Sequence, residues 1–306
     1  MTFASTPIPH APSAPTTFAA RFSVFARDIK ISHTVFAMPW ALLATFLAAG
    51  GSPRLLQLVL IVICMICART VAMAANRLLD ATLDAQNPRT ARRAIPSGQL
   101  PIAFVAVTLL VCAIGFVAAT YGFYWKYGNI WPLALSIPVL IFVSAYPLLK
   151  RFTRLCHYYL GASLALAPVC AWIAIAGRLN WEPILMAAAV LTWTAAFDMI
   201  YACQDYESDL ACGVFSVPSK FGIPAALWIS RFTHLICVAM LVLLGLYSPA
   251  LSTLYFIGVA VAVALLVVEH SLVRPNDLSK VGLAFFTING IISLLLGTLG
   301  ILDVFF

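Results

Sequence analysis

The sequence predicts an all-α, polytopic membrane protein, and three observations carry that prediction. Of 306 residues, 63% are hydrophobic and only 9% are charged, whereas about a quarter of the residues in a soluble domain are charged. Nine stretches approach the ~20 mostly apolar residues that a membrane-crossing helix needs. The Lys and Arg residues between those stretches fall overwhelmingly on alternate connections.

Residues 1–20, MTFASTPIPHAPSAPTTFAA, are rich in Pro, Ala, Ser and Thr and hold no Lys or Arg. They are expected to form a disordered tail, and they lack the basic start and apolar core of a secretory signal. Residues 21–306 read as one transmembrane domain. A basic entry (Arg21, Arg27, Lys30) leads into the first span, 31–50, and Arg54 precedes the second, 55–75. The longest connection, 76–101, is polar, helix-like at its start, and carries Arg77, Arg89, Arg92 and Arg93. Spans 102–121 and 131–148 follow, separated by a connection with Lys126 alone. Lys150, Arg151 and Arg154 precede span 157–177, and Arg178 precedes 183–203. Lys220 introduces span 222–246; after 251–268 come Arg274 and Lys280, then the ninth span, 281–302. Thirteen of the 18 Lys and Arg residues thus share the N-terminal side, three lie opposite, and Arg69 and Arg231 fall inside spans. Cytoplasmic connections carry the excess of basic residues, so the N-terminus is expected in the cytoplasm and the C-terminus outside.

The acids are distributed differently. Six of the 11 lie in two clusters, 80–84 and 198–209, at the cytoplasmic ends of the second and sixth spans. Four residues of an α-helix advance about 400°, so Asn76, Asp80 and Asp84 share one face. Asp198, Tyr201, Asp205 and Asp209 share another, while Glu207 breaks that stripe and is read as solvated. Acids one turn apart repel each other, and near a helix C-terminus they also oppose the macrodipole. Two such sites argue for a bound cation. Carboxylate oxygens suit Mg²⁺, which usually bridges protein acids to a phosphorylated ligand. The arrangement therefore reads as a diphosphate site, with the basic cytoplasmic connections beside it. Arg69, seven residues before Asn76, lies on the same stripe inside a span, where a charge needs a partner. The eight cysteines are scattered; Cys64 and Cys67 form a CxxC within an apolar run and are read as packing residues. The five histidines have no metal-ligand spacing.

Four motifs, in order, give the chain a resemblance. RTVAMAANRLLDATLD resembles the first signature of the UbiA superfamily of membrane prenyltransferases, an Arg followed by N-x-x-x-D-x-x-x-D. NPRTARRAIPSGQL resembles the loop after it, and YPLLKRFT the motif ending the fourth span. DMIYACQDYESD, followed by SVPSKFG, resembles the second signature. The nearest branches are the 4-hydroxybenzoate polyprenyltransferases and the relatives that prenylate 1,4-dihydroxy-6-naphthoate for menaquinone; IYACQD leans toward the latter. Ala72 and Arg77 depart from the pattern: many relatives have Gly at the first position and several have Asp at the second.

The resemblance implies nine transmembrane helices around a central cavity that opens sideways to lipid. It implies an Mg²⁺-dependent transfer of a polyprenyl group from its diphosphate to a ring carbon of a hydroxylated aromatic acid, in ubiquinone or menaquinone biosynthesis. Asp80 and Asp84 on one side, and Asp205 and Asp209 on the other, would hold the metal. Asn76, Arg69, Lys150 and Arg151 would bind the diphosphate, ahead of Arg77 and Arg154. Asp198, assisted by Tyr201, would orient or deprotonate the acceptor. Arg27 and Lys30 are open to two readings, partners of the acceptor's carboxylate or interface anchors. Aromatic side chains are expected to shelter the allylic cation, and Tyr121, Phe123, Tyr124 and Trp125 form one aromatic run. The expected setting is the inner membrane of a bacterial-type cell. The partners are the bilayer, the prenyl diphosphate and the aromatic acid; nucleic acid is not among them. A CDP-alcohol phosphotransferase is disfavoured because no D-G-x-x-A-R run is present. A cation transporter is the alternative from another class, but its acids normally sit near mid-membrane.

Overall fold

The structure, a computed structural model, describes residues 15–29 and 36–306. Helices form at every expected span. In chain order they are α1 (Phe18–Asp28), α2 (Met38–Ala49), α3 (Leu55–Leu79), α4 (Ala81–Gln86), α5 (Ile102–Tyr127), α6 (Trp131–Leu149), α7 (Cys156–Ala176) and α8 (Trp181–Ala202). There follow α9 (Tyr206–Cys212), α10 (Val217–Phe221), α11 (Ile223–Tyr247), α12 (Thr253–Leu272), α13 (Val281–Leu283) and α14 (Asn289–Asp303). A 3-10 turn, Cys203–Asp205, links α8 to α9, and a π-helical turn, Ala284–Ile288, links α13 to α14. Among the described residues eight helical segments are long and apolar enough to cross a membrane. The ninth, α2, has 12 described residues, and residues 30–35 before it, with Lys30, lie outside the described ones. Residues 1–14 of the expected tail also lie outside them, and α1 starts at Phe18.

Burial distinguishes the roles of these helices. Seven of the 12 residues of α2 are buried, against five of the 26 in α5. α2 is therefore a core helix, and α5 turns Val107, Leu110, Val111 and Ile114 outward, as a lipid-facing helix must. The main core gathers Trp40 of α2, Trp193 of α8, Trp172 of α7 and Tyr255 of α12. α7 and α8 approach so closely at Gly161 that a Cβ there would stand 2.2 Å from the Leu191 carbonyl oxygen; only glycine permits that contact. This pairing matters because the first turn of α7 and the last turn of α8 both reach the site.

In the aromatic run 121–125, Tyr121, Tyr124 and Trp125 are exposed at the α5 end away from the acids, whereas Phe123 is buried. The first three thus resemble an interfacial belt, and only Phe123 faces the cavity.

Candidate functional site

The first acidic stripe keeps its register although the helix is interrupted. α3 ends at Leu79, yet the Asp80 N–H donates to the Asn76 carbonyl (3.0 Å) and the Asp84 N–H to the Asp80 carbonyl (2.7 Å). The four-residue ladder thus runs through into α4 and holds Asn76, Asp80 and Asp84 on one face. Asp80 is 0% exposed and Asp84 4%. Asp80 Oδ2 accepts from Asn76 Nδ2 at 2.9 Å and from Lys150 Nζ at 2.6 Å. Both Asp84 oxygens accept from Arg93 Nη1 at 2.7 Å. Asp80 Oδ1 is buried and accepts no hydrogen bond among the described residues. Burial pushes the Asp80 carboxyl above the ordinary aspartate range, against the opposing pull of Lys150; it therefore favours added positive charge nearby.

Arg77, where an acid is common in the resembled signature, holds this stripe from behind. It is 4% exposed. Its Nε donates to Asp28 Oδ2 (2.7 Å), its Nη2 to the Asp28 carbonyl (2.9 Å) and its Nη1 to Asn76 Oδ1 (2.7 Å). The last bond orients the Asn76 amide so that its NH₂ faces Asp80. Asp28 Oδ1 accepts from the Ala94 N–H at 2.9 Å, tying α1 to the loop that carries Arg89 and Arg93.

The second stripe follows a less regular path. Asp198 and Tyr201 lie in the last turn of α8, Asp205 in the 3-10 turn and Asp209 in α9. Arg89 reaches Asp205 with Nε (2.8 Å) and Nη2 (2.6 Å), and Asn87 Nδ2 adds a third donor at 2.9 Å. Arg89 Nη1 also donates to the Tyr201 hydroxyl at 2.9 Å. Burial opposes the Arg89 charge, but the Asp205 contacts more than offset it and raise its pKa. Asp209 Oδ2 accepts from Ser216 Oγ at 2.8 Å. Asp198 Oδ2 lies 2.7 Å from His157 Nδ1. Glu207 is exposed, in keeping with its break from the stripe.

Both stripes line one cavity of about 440 Å³. It descends one face of α3 through Ile61, Met65, Ala68 and Ala72 to Asn76 and Asp80. At 1.5 Å per residue the path from position 61 to 80 is about 28 Å long. Nine of the ten expected site residues line it: Asn76, Arg69, Asp80, Asp84, Lys150, Asp198, Tyr201, Asp205 and Asp209. Arg151 does not. It is exposed, and its guanidinium donates to the Leu79 carbonyl at the end of α3. Arg69 reaches the Ile29 carbonyl at 3.2 Å. Arg89, Arg93, Asn87 and Tyr146 line the cavity as well. The sequence marked Arg89 and Arg93 only as a basic loop, and nothing in its spacing marked His157.

The donor set suits a hard divalent cation shared with a ligand. Among the described residues no three His, Cys, Asp or Glu side chains are close enough to cage a metal. Mg²⁺ does not require a cage, because one or two carboxylates, water and substrate phosphates usually complete its shell. The unpartnered Asp80 Oδ1 is such a carboxylate oxygen.

Residues 37–291 match the UbiA prenyltransferase family. A 4-hydroxybenzoate octaprenyltransferase of Marinobacter nauticus is 30% identical over 271 residues, 86% of this chain and 88% of that protein. One of Tolumonas auensis is 28% identical over 264 residues, covering 86% and 90%. A UbiA homolog from Aeropyrum pernix K1, solved in apo form, superposes with a TM-score of 0.79 at 26% identity over 89% of this chain and 98% of that one. A UbiA homolog from Archaeoglobus fulgidus, solved with DMAPP and Mg²⁺, shares the fold with a TM-score of 0.70 at 18% identity over 92% and 98%.

Proposed function

The chain belongs to the UbiA prenyltransferase family and is a multi-pass membrane prenyltransferase; from that premise we propose that it transfers a polyprenyl group to a ring carbon of 4-hydroxybenzoate in quinone biosynthesis. The observation that carries this reading is the convergence of two carboxylate stripes and five Lys and Arg side chains on one long apolar cavity. The names of the relatives support the acceptor.

In this reading the diphosphate sits between the stripes and the polyprenyl tail follows the α3 face. Asp80, Asp84, Asp205 and Asp209 would hold Mg²⁺. When bound, the metal supplies Lewis-acid stabilisation to the departing pyrophosphate. Lys150, Arg89, Arg93 and Arg69 add fixed positive charge where negative charge develops, and Asn76 donates an amide hydrogen bond. Arg151, turned outward, is left with a supporting role at the end of α3. Phe197, Phe285 and Tyr201 form a continuous aromatic wall beside Asp198, with ring centroids 5.2 Å apart for Phe197–Phe285 and 4.2 Å for Tyr201–Phe285. Their faces stabilise an allylic cation and exclude water from it. Asp198 receives the acceptor's hydroxyl. The basic connections support a site at the cytoplasmic face of a bacterial-type inner membrane.

The test is an assay in membranes, with 4-hydroxybenzoate and 1,4-dihydroxy-6-naphthoate offered separately beside a long polyprenyl diphosphate and Mg²⁺. Prenylated 4-hydroxybenzoate is expected, lost on chelation and restored by Mg²⁺. Transfer to the naphthoate alone, or to neither acceptor, refutes the proposal.

A further inference from the structure

The turn between α9 and α10 is tied to three parts of the site at once. The Phe215 N–H donates to the Lys150 carbonyl at 2.7 Å, Ser216 Oγ to Asp209, and the Val217 N–H to His157 Nε2 at 3.1 Å. The third bond has a chemical consequence. A backbone N–H can only donate, so Nε2 of His157 carries no proton. The proton of the ring is therefore on Nδ1, which donates to Asp198 Oδ2 at 2.7 Å. His157 is buried, and its two ring nitrogens are both used in this way. Asp198 lines the cavity, and among the described residues no side chain donates to its Oδ1.

We propose that His157 is a positioning residue, locked in one tautomer by the Val217 N–H, that aims the second oxygen of Asp198 at the acceptor's hydroxyl. The role rests on the reading of Asp198 given above. The allylic C–O bond breaks first, its electron pair leaving with pyrophosphate, and the ring carbon then bonds to the allylic cation. Asp198 takes the hydroxyl proton in that step. The ring C–H proton then passes to pyrophosphate, and Asp198 returns its proton to the phenolate oxygen. Because Ser216 and Val217 are adjacent, the same turn that steadies the metal-side Asp209 also sets the ring that steadies Asp198.

Two substitutions divide the functions of the ring. The Asn amide in His157→Asn reaches the place of Nδ1, and the longer amide in His157→Gln reaches that of Nε2. In the purified full-length protein, assayed with a polyprenyl diphosphate, 4-hydroxybenzoate and Mg²⁺, His157→Asn is expected to stay within about fivefold of wild-type kcat. His157→Gln is expected to lose about 10- to 100-fold in kcat, the cost of a hydrogen bond to a charged group, with the KM for the diphosphate unchanged. In an Asp198→Asn background His157→Gln is expected to add less than about twofold, because the two act as a unit. Val217→Pro guards against misfolding: Pro suits the first position of a helix, keeps an apolar side chain at this buried position and deletes the donor to Nε2, so kcat should fall about 3- to 10-fold. Any other ordering of the two His157 variants, additive losses in the Asp198→Asn background, or an unchanged kcat in Val217→Pro overturns the role. A wild type that prenylates nothing overturns the proposed function, and this role with it.

Discussion

Asp80 is fully buried and its backbone continues the hydrogen-bond ladder of α3 into α4, whereas Asp205 keeps 14% of its side chain exposed and lies in a 3-10 turn. The partners differ in the same sense. Asp80 is held by Lys150 from the end of α6 and by an Asn76 amide that Arg77 fixes in turn. Asp205 is held by Arg89 and Asn87, which come from the loop beyond the opposite stripe. One side of the cavity is thus rigid, with a carboxylate oxygen left over, and the other is bridged by a partly exposed arginine. In the proposed function, a diphosphate entering this cavity would meet a preformed half-site at Asp80 and would share Asp205 with Arg89. Positioning on a rigid element costs little at the moment of reaction, so the proposed function assigns the buried side the larger share of positioning.

The largest effect expected from this difference is at Asp80. Asp80→Asn should lower kcat/KM about 1,000-fold, in the range for losing a preorganised electrostatic group. It also leaves Lys150 without its carboxylate, and removing one member of a buried pair is strongly destabilising. Asp205→Asn should lose about 100-fold in activity with the smaller fall in Tm. Thermal unfolding of both variants in the same detergent checks this, and a larger loss of stability in Asp205→Asn would break the comparison. Arg89→Ala comes next. It removes a proposed phosphate partner but also frees Asp205, so kcat/KM should fall about 10-fold, mainly through the KM for the diphosphate. A fall in kcat alone would mean that Arg89 acts only in the transition state. The smallest effect is at Glu207, exposed and off the stripe: Glu207→Gln should leave activity and Tm within error, and a clear loss would redraw the second stripe.

Much of this was legible in the chain itself. Among the described residues each of the nine apolar segments contains a helix, and Asn76, Asp80 and Asp84 kept the face that four-residue spacing assigns them. The second stripe was less regular than its spacing, since α8 gives way to a 3-10 turn before Asp205. Lys150 and Arg151 show a sharper limit. They are neighbours of the same charge, yet Lys150 turns to Asp80 and Arg151 to the Leu79 carbonyl, because α6 ends at Leu149 and the next two residues point apart. In the aromatic run, helix rotation alone buries Phe123 and exposes Tyr124 and Trp125.

By itself the sequence determined what depends on neighbours along the chain: which segments are apolar enough to cross, which side their basic connections favour, and which acids share a helical face. Hydrophobicity and helical periodicity are local properties, so they survive without any tertiary information. The fold alone decided the pairings across long separations, Asp80 with Lys150, Asp205 with Arg89 and Asp198 with His157. Those depend on how each helix is rotated and how closely α7 meets α8 at Gly161, and side-chain packing between distant segments fixes both.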